Sequence, residues 1–373
     1  MVLAVSITLF FVLIYSLVVF MLWMGLGQLR EGSLKSSDNQ VSVSVLIPFR
    51  DEEEHLSALI HDLKGQTYPE ELVEFIFVND HSRDGSGAVL NALKGTDARF
   101  HCLELPDDKS GKKEAISYAV DHSKNNWLIQ TDADCRIGPN FIATHMTFQK
   151  KYNSDLVAGL VTTGNGRGNF LQQLERLDIL SLVGTGAGSF YFNRPVMCNG
   201  ANLAFSRELY RETRRFDPSK IVESGDDMFL MIGARKLGKK LSFMVNQDAM
   251  VETIPGDSFR KIIAQRVRWA SKAGHYKMID IQLLALLVAL TNLLVLFSPL
   301  LILLIPVSWI WLMSAFILKT LSDFNLLLRI ATYTGQRKSL WLFLPISLIY
   351  YLLQIFILIG TLLFRTKWKG RIL

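Results

Sequence analysis

Three stretches of the chain carry no Asp, Glu, Lys or Arg: residues 1–29, 281–318 and 339–364. A helix rising 1.5 Å per residue needs about 20 residues to cross a hydrocarbon core of about 30 Å. The first stretch therefore predicts one crossing. It lacks a basic start, and no small-residue cleavage site follows it, so it reads as a retained anchor rather than a removed signal. The second would form a helix of about 57 Å, too long for a single pass. Pro299 splits it near the middle and Pro306 lies further on, which predicts two passes or a re-entrant hairpin. The third predicts one crossing despite Pro345. Helices buried in a soluble core would not run this far without a charge.

Between these ends, short β-branched runs alternate with helix-like stretches. Val41 to Ile47 predicts a strand that Pro48 ends, Glu53 to Leu63 a helix, Glu74 to Val78 a second strand, and Ser86 to Leu93 a second helix. A third strand at Phe100 to Leu105, a helix at Lys112 to His122 opened by Ser110-Gly111, and a fourth strand at Asn126 to Thr131 follow. Such alternation predicts an α/β fold with a mostly parallel sheet and helices on both faces.

Composition sharpens the division. All 40 basic and 34 acidic residues lie outside the three apolar stretches; they make up about 26% of what remains, ordinary for a globular domain. That excludes a disordered chain, a wholly soluble enzyme and a pure channel or carrier. The formal charge of +6 suits contact with anionic lipid or with a nucleotide's phosphates. No basic patch interleaved with aromatics points to nucleic acid as a partner. Cys102, Cys135 and Cys198 are odd in number and widely spaced, which fits reduced cytosolic thiols and no zinc site. Arg30 and Lys35, the basic run from Arg260 to Lys277, and Arg365, Lys367, Lys369 and Arg371 put the large domain and the tail in the cytosol by the positive-inside rule. That demands an even number of C-terminal crossings against about three counted, unless one is re-entrant or residues 319–335 lie along the interface.

Sheets of this kind bind ligands outside the carboxyl ends of their strands. After the first strand come Arg50, Asp51 and Glu52; after the second, Asn79, Asp80, Ser82 and Asp84; after the fourth, Asp132, Ala133 and Asp134. Any one set fits a turn or a helix cap. Three acidic sets on one edge repel one another and call for a cation. Asp132 and Asp134, at i and i+2 of an extended segment, would face the same side, and hard oxygen ligands favour Mg²⁺ or Mn²⁺. Gly164 to Gly168 and Ser110-Gly111-Lys112-Lys113 complete neither a dinucleotide fingerprint nor a P-loop; Lys112 and Lys113 fit a phosphate contact or a solvated helix start. Further on, Met197 to Ala204 is a polar, glycine-bearing turn that fits a close ligand approach or a tight core turn. Glu223-Ser224-Gly225-Asp226-Asp227 precedes a helix-like run from Met228 to Leu237. Capping explains one acid of the pair better than both, leaving the other as a general base. Gln265, Arg268, Trp269 and Lys272 share one helical face, suited to a site or to an interfacial helix with its Trp at headgroup level.

Taken in order, these segments resemble the membrane-bound branch of glycosyltransferase family 2 over about residues 41–275. Val43 to Glu52, with Pro48-Phe49-Arg50-Asp51-Glu52, resembles the family's first strand and turn. Val78 to Asp84 resembles its nucleotide-contacting turn, and Ser110-Gly111-Lys112 its glycine–lysine helix start. Asp132-Ala133-Asp134 is similar to the DxD metal motif, Gly225-Asp226-Asp227 to the ED base motif, and Gln265 to Trp269 to QxxRW. Asp226 stands where the family often has Glu, and Asp51 where Asn is usual; both keep a polar oxygen. Trp368-Lys369-Gly370-Arg371 resembles the tail of members that glycosylate lipids.

The resemblance implies a GT-A (Rossmann-like) fold in residues 41–275, between an anchor at residues 1–29 and about three membrane helices with a basic tail in residues 280–373. It implies inverting transfer from a nucleotide sugar, a UDP-hexose, to a lipid or lipid-linked acceptor, in the cell membrane with the catalytic domain in the cytosol. Asp80, with Pro48, Arg50 and Glu52, would hold the nucleoside. Asp134 and Asp132 would hold Mg²⁺ or Mn²⁺, Lys112 would meet the phosphates, and Asp227 beside Asp226 would be the base. Arg268 would support the diphosphate, and Trp269 with Gln265 would meet sugar or acceptor. A processive polysaccharide synthase of the same family, a metal-dependent nucleotidyl- or phosphotransferase, and a non-catalytic binding protein stand as alternatives.

Overall fold

The structure, a computed structural model, describes residues 2–29, 41–93, 95–164, 168–216, 225–256, 258–272, 275–363, 367–368 and 371–372. The loop holding Arg30 and Lys35, the Glu223-Ser224 pair, and Arg365, Lys369 and Gly370 lie outside the described residues. The chain forms two compact units. One comprises Met1–Gln28, Asn165–Phe192 and Pro255–Leu373; the other comprises Leu29–Gly164 and Asn193–Ile254.

After α1 (Val2–Gln28), the chain alternates β1 (Val43–Phe49), α2 (Glu53–Lys64), β2 (Val73–Asn79), α3 (Ser86–Asn91), β3 (Phe100–Glu104) and α4 (Lys112–His122). There follow β4 (Trp127–Gln130), β5 (Cys135–Ile137), α5 (Phe141–Tyr152), β6 (Leu156–Gly159), β7 (Val161–Thr163) and α6 (Phe170–Phe190). Then come β8 (Leu203–Ser206), α7 (Arg207–Thr213), α8 (Asp226–Lys236), β9 (Leu241–Met244) and β10 (Val251–Thr253). The last long helices are α9 (Phe259–Ala270), α10 (Ile279–Leu304), α11 (Trp309–Tyr333) and α12 (Phe343–Leu363).

The α/β unit is built on a seven-stranded sheet of order β3-β2-β1-β4-β8-β6-β9. Only β8 runs against its neighbours, β4 and β6. Every residue of β1 and β2 is buried, as expected for strands covered on both faces. Leu56, Leu59 and Leu63 of α2 and Ala115, Ile116, Ala119 and Val120 of α4 are fully buried. Burying each leucine contributes about 1.5–3 kcal/mol. A smaller sheet, β5-β10-β7, adjoins it within this unit.

Two local expectations change. Pro48 does not end β1, which runs to Phe49. The Leu46 carbonyl accepts from Thr131 on the β4 side, while the Phe49 carbonyl accepts from Asp80 on the β2 side. Alternation turns Pro48 toward β4, whose pairing has already stopped at Leu46, so its missing N–H costs no ladder bond. Asp132-Ala133-Asp134 is not extended: the Cys135 N–H donates to the Asp132 carbonyl at 3.3 Å and closes a turn.

Among the described residues of the helical unit, four helices are long and apolar enough to cross a membrane: Leu3–Gln28, Ile279–Leu304, Trp309–Tyr333 and Arg337–Thr361. Pro299 does not split the long apolar stretch but lies inside α10. The break comes at Pro306–Ser308, where a 3₁₀ turn precedes α11. Residues 319–333 continue α11 rather than forming a separate interfacial segment. The helix can carry Lys319 and Asp323 because they pair with one another. Lys319 donates to Asp323 at 2.6 Å, the Tyr15 hydroxyl donates to the other Asp323 oxygen at 2.7 Å, and the Lys319 ammonium lies over the rings of Tyr15 and Tyr351. Unpaired charges at such depth would cost several kcal/mol.

Candidate active site

The site in the α/β unit is built at the carboxyl ends of β1, β2 and β4. The loops after β1 and β2 are laced together. Arg83 N–H donates to Asp51 Oδ1 at 2.7 Å, and Asp51 N–H to Ser82 Oγ at 3.0 Å. Glu52 N–H reaches Ser86 Oγ at 2.9 Å, and Glu53 N–H reaches Asp84 Oδ2 at 3.1 Å. Asp51 and His81 hold φ values of +50° and +55°. Such left-handed backbone at non-glycine residues persists only where the surroundings enforce it, and the lacing supplies that enforcement. Burial tends to raise the Asp84 pKa, but its bonds from Ser86 and Glu53 outweigh this and hold it below the ordinary carboxylate value.

Asp80 is 1% exposed. Its Oδ2 accepts the Gly111 N–H at 3.1 Å, and its carbonyl accepts Arg50 Nη1 at 2.9 Å. It therefore braces the end of β2 against the start of α4. Gly111 sits at φ +96°, which a residue with a Cβ would adopt only under strain. That turn aims Lys112, the first residue of α4, at Asp132, with Nζ 2.5 Å from Oδ1. Burial by itself lowers the Lys112 pKa, yet Asp132, Asp226 and Asp227 together outweigh it and raise the pKa above the usual lysine value. One ammonium thus answers both the DxD turn and the acid pair at the start of α8.

The acid pair is held from the β4 side and from the turn before β8. Gln130 Nε2 donates to Asp226 Oδ2 at 2.9 Å, and the Gly200 N–H donates to Asp227 Oδ2 at 3.0 Å. Gly225, at φ +95°, starts the helix, so both carboxylates lie in its first turn, where the macrodipole favours them. Both are half-buried. The thiols of Cys198 and Cys135 are pushed up by burial and then by the neighbouring aspartates, so they stay protonated and unreactive. Below the turn, Asn202 donates to the carbonyls of Leu160 and Ala249 and accepts from His145 Nε2 at 2.9 Å. Burial lowers His145 to about 4, which leaves it a neutral core donor.

The DxD turn fits a hard divalent cation in its donors. Asp132 and Asp134 are both half-exposed, with buried Ala133 between them, and Mg²⁺ or Mn²⁺ takes most of its remaining ligands from water and phosphate. Among the described residues no cluster of three or more metal-binding side chains forms; Lys112 is the cation that Asp132 contacts. Of the expected nucleoside contacts, Pro48 and Arg50 are buried, while Glu52 is half-buried beside His55.

Gln265, Arg268 and Trp269 belong to the helical unit, on α9, and are half-buried. The residue between them proves central: Arg266 Nη1 donates to Gln265 Oε1 at 2.9 Å, and its guanidinium lies 4.2 Å from the Trp269 ring centroid. Sequence reasoning missed Gln130, Arg266 and the buried acids of α6. Glu175 and Asp178, spaced i and i+3 ahead of the apolar second half of α6, were the available signal.

A GT-A fold is what this sheet and edge define. Residues 44–214 match glycosyl transferase family 2, and that segment is a domain of this family's kind. An N-acetylglucosaminyltransferase of Rhizobium meliloti (strain 1021) is 26% identical over 238 residues, 61% of this chain and 55% of the relative. A poly(ribitol-phosphate) beta-glucosyltransferase of Bacillus spizizenii is 26% identical over 212 residues, 56% of this chain and 32% of the relative. The chain thus spans about half of the first relative and a third of the second. The mannosyltransferase of Pyrobaculum calidifontis, solved in complex with GDP-Man and Mn2+, shares the fold with a TM-score of 0.58 at 15% identity, covering 96% of this chain and 99% of that one.

Proposed function

We propose that the protein transfers a hexose from a UDP-sugar to a lipid or lipid-linked acceptor at the cell membrane, with inversion at the anomeric carbon. The observation that carries this reading is the placement of Lys112, whose one ammonium serves Asp132 of the DxD turn and the Asp226–Asp227 pair. A donor-phosphate end and an acceptor-base end thereby share one short stretch of the sheet edge. The names of the relatives, which transfer N-acetylglucosamine or glucose, support a hexosyl donor. The four apolar helices support a lipid acceptor and a membrane location, and the positive-inside rule favours a cytosolic catalytic unit.

Asp132 and Asp134 would hold Mg²⁺ or Mn²⁺, and the bound ion would offset negative charge developing on the departing diphosphate. Asp227, held by the Gly200 N–H, takes the proton of the acceptor hydroxyl, which is worth typically 10²–10⁴-fold. The acceptor oxygen bonds to the anomeric carbon as its bond to the diphosphate breaks, and UDP leaves. Lys112 stabilises the phosphates, and the laced loops with Asp80 fix the nucleoside end.

The test uses the purified full chain in detergent with radiolabelled UDP-glucose, UDP-GlcNAc and GDP-mannose, Mn²⁺, and extracted membrane lipids. Label should enter the organic phase with release of free nucleoside diphosphate. Release of pyrophosphate would instead support a nucleotidyltransferase, and label in long water-soluble polymer a processive synthase. No transfer or hydrolysis from any donor would overturn the reading.

A further inference from the structure

We infer that Asp178 of α6, with Tyr350 of α12, is a positioning residue for the QxxRW segment of α9, acting through Arg266. The inference rests on the glycosyltransferase reading for its effect on turnover, but not for its geometry. Asp178 is 3% exposed and Arg266 5%. Arg266 Nε donates to Asp178 Oδ2, and the Tyr350 hydroxyl donates to Asp178 Oδ1 at 2.6 Å. Both carboxylate oxygens are therefore engaged, one by each neighbouring helix. From that fixed point the guanidinium reaches two motif side chains: the Gln265 amide by a hydrogen bond, and the Trp269 indole by a face contact. Arg266 Nη2 is buried with no hydrogen-bond partner among the described residues, so few other bonds fix the guanidinium.

A second acid of α6 acts at the start of the same helix. Glu175 accepts the Gly256 N–H at 2.6 Å, two residues before Ser258, the N-cap of α9. A Cβ at Gly256 would approach Ile262 at 3.1 Å and Glu175 at 3.4 Å. Burial pushes the Glu175 pKa up, against the bond from Gly256 and the charge of Arg266. Glu175 and Asp178 thus hold α9 at its entry and at its middle. A buried carboxylate among membrane helices is costly unless paired. Its pairing to the residue that touches both Gln265 and Trp269 assigns it to orienting them.

The experiment compares wild type, Asp178→Asn and Tyr350→Phe as full chains in detergent. It measures kcat and KM with radiolabelled UDP-glucose and extracted membrane lipids, UDP affinity with Mn²⁺ by calorimetry, and Trp269 emission. Because the chain has 7 Trp, that emission is taken as the difference between each protein and its Trp269→Phe counterpart. Misplacing a substrate-side group by about 1 Å costs roughly 100-fold. Asp178→Asn should therefore lower kcat about 100-fold, with UDP affinity unchanged and Trp269 emission shifted. Tyr350→Phe, which removes the hydroxyl and keeps the Arg266–Asp178 ion pair, should lower kcat about five-fold with a smaller shift, the loss of one hydrogen bond of about 1 kcal/mol at Asp178. A role limited to stability would lower the unfolding midpoint but leave the kcat of the folded protein and the emission as in wild type; that result overturns the inference. Should Asp178→Asn not fold, Tyr350→Phe decides by the same two readouts. Should wild type transfer nothing, the glycosyltransferase reading falls by itself, and unshifted emission in the variants would separately overturn the positioning role.

Discussion

The Gly200→Ala substitution probes the packing around the acid pair. A Cβ at this position would stand 2.7 Å from Gln130 Nε2 and 3.5 Å from both Asp226 Oδ2 and Asp227 Cβ. The first contact is closer than real Cβ atoms tolerate, so the Gln130 amide must move, and moving it breaks its 2.9 Å bond to Asp226. Where the turn gives way instead of the amide, the Gly200 N–H that holds Asp227 at 3.0 Å moves. A hydrogen bond to a charged group is worth about 1.5–3 kcal/mol, and forcing a methyl into a packed site costs about 1–3 kcal/mol. Partial relaxation keeps the two from adding in full, so a stability loss of about 2–3 kcal/mol is expected. Turnover should fall more than donor affinity, by about 10–100-fold, because the displaced group is the base rather than a phosphate contact. Differential scanning fluorimetry in detergent reads the first quantity, and initial rates at saturating donor read the second. Wild-type turnover with an unshifted unfolding midpoint would refute the placement of Asp227 and Gln130 around this glycine.

Asp227→Asn should lower transfer by at least about 100-fold while leaving Mn²⁺-dependent UDP binding intact; wild-type turnover would remove it as the base. Asp134→Ala should abolish the difference in UDP affinity measured calorimetrically with Mn²⁺ and with EDTA, and a difference equal to wild type would remove it as a metal ligand. His145, lowered to about 4 in the fold against about 6.5 unfolded, binds its proton more readily when unfolded. Its contribution is therefore complete at neutral pH and fades as pH falls through 6.5 toward 4. Between pH 7 and pH 5 it should account for about 2 kcal/mol of lost stability, and a His145→Gln variant should show a correspondingly shallower pH dependence of unfolding.

The sheet was legible because parallel strands buried on both faces read as uninterrupted apolar runs, and β1, β2 and α4 fall within a residue or two of where the pattern put them. Pro48 misled because the rule that proline breaks ladders depends on whether the neighbouring strand is still pairing, and no local pattern records where β4 stops. The extended geometry expected of Asp132-Ala133-Asp134 failed for a related reason. The segment lies between β4 and β5, strands of different sheets, and a turn is what redirects the chain. Pro299 was overrated as a breaker; α10 absorbs it, and Pro306, at the first position of a 3₁₀ turn, falls where the chain actually bends. Among site residues the aspartates announced themselves by number, whereas Gln130 did not, because an amide at a strand end is chemically unremarkable until its partner, 96 residues away, is folded against it. Glu175 and Asp178 were visible as acids in α6, but their meaning required knowing that Arg266 of α9 reaches Asp178.

The charge balance of the α/β unit explains why the two motifs interact rather than merely lie on one edge. Asp132, Asp226 and Asp227 all act on the single Lys112 ammonium, so at neutral pH the stretch keeps an excess of negative charge, to which a nucleotide diphosphate adds more. At an effective dielectric of about 20, two like charges 4 Å apart repel by about 4 kcal/mol, comparable to much of the affinity of a micromolar ligand. Lys112 is already bonded to Asp132 and cannot by itself reverse that sign. A divalent cation on the half-exposed oxygens of the DxD turn would offset that repulsion.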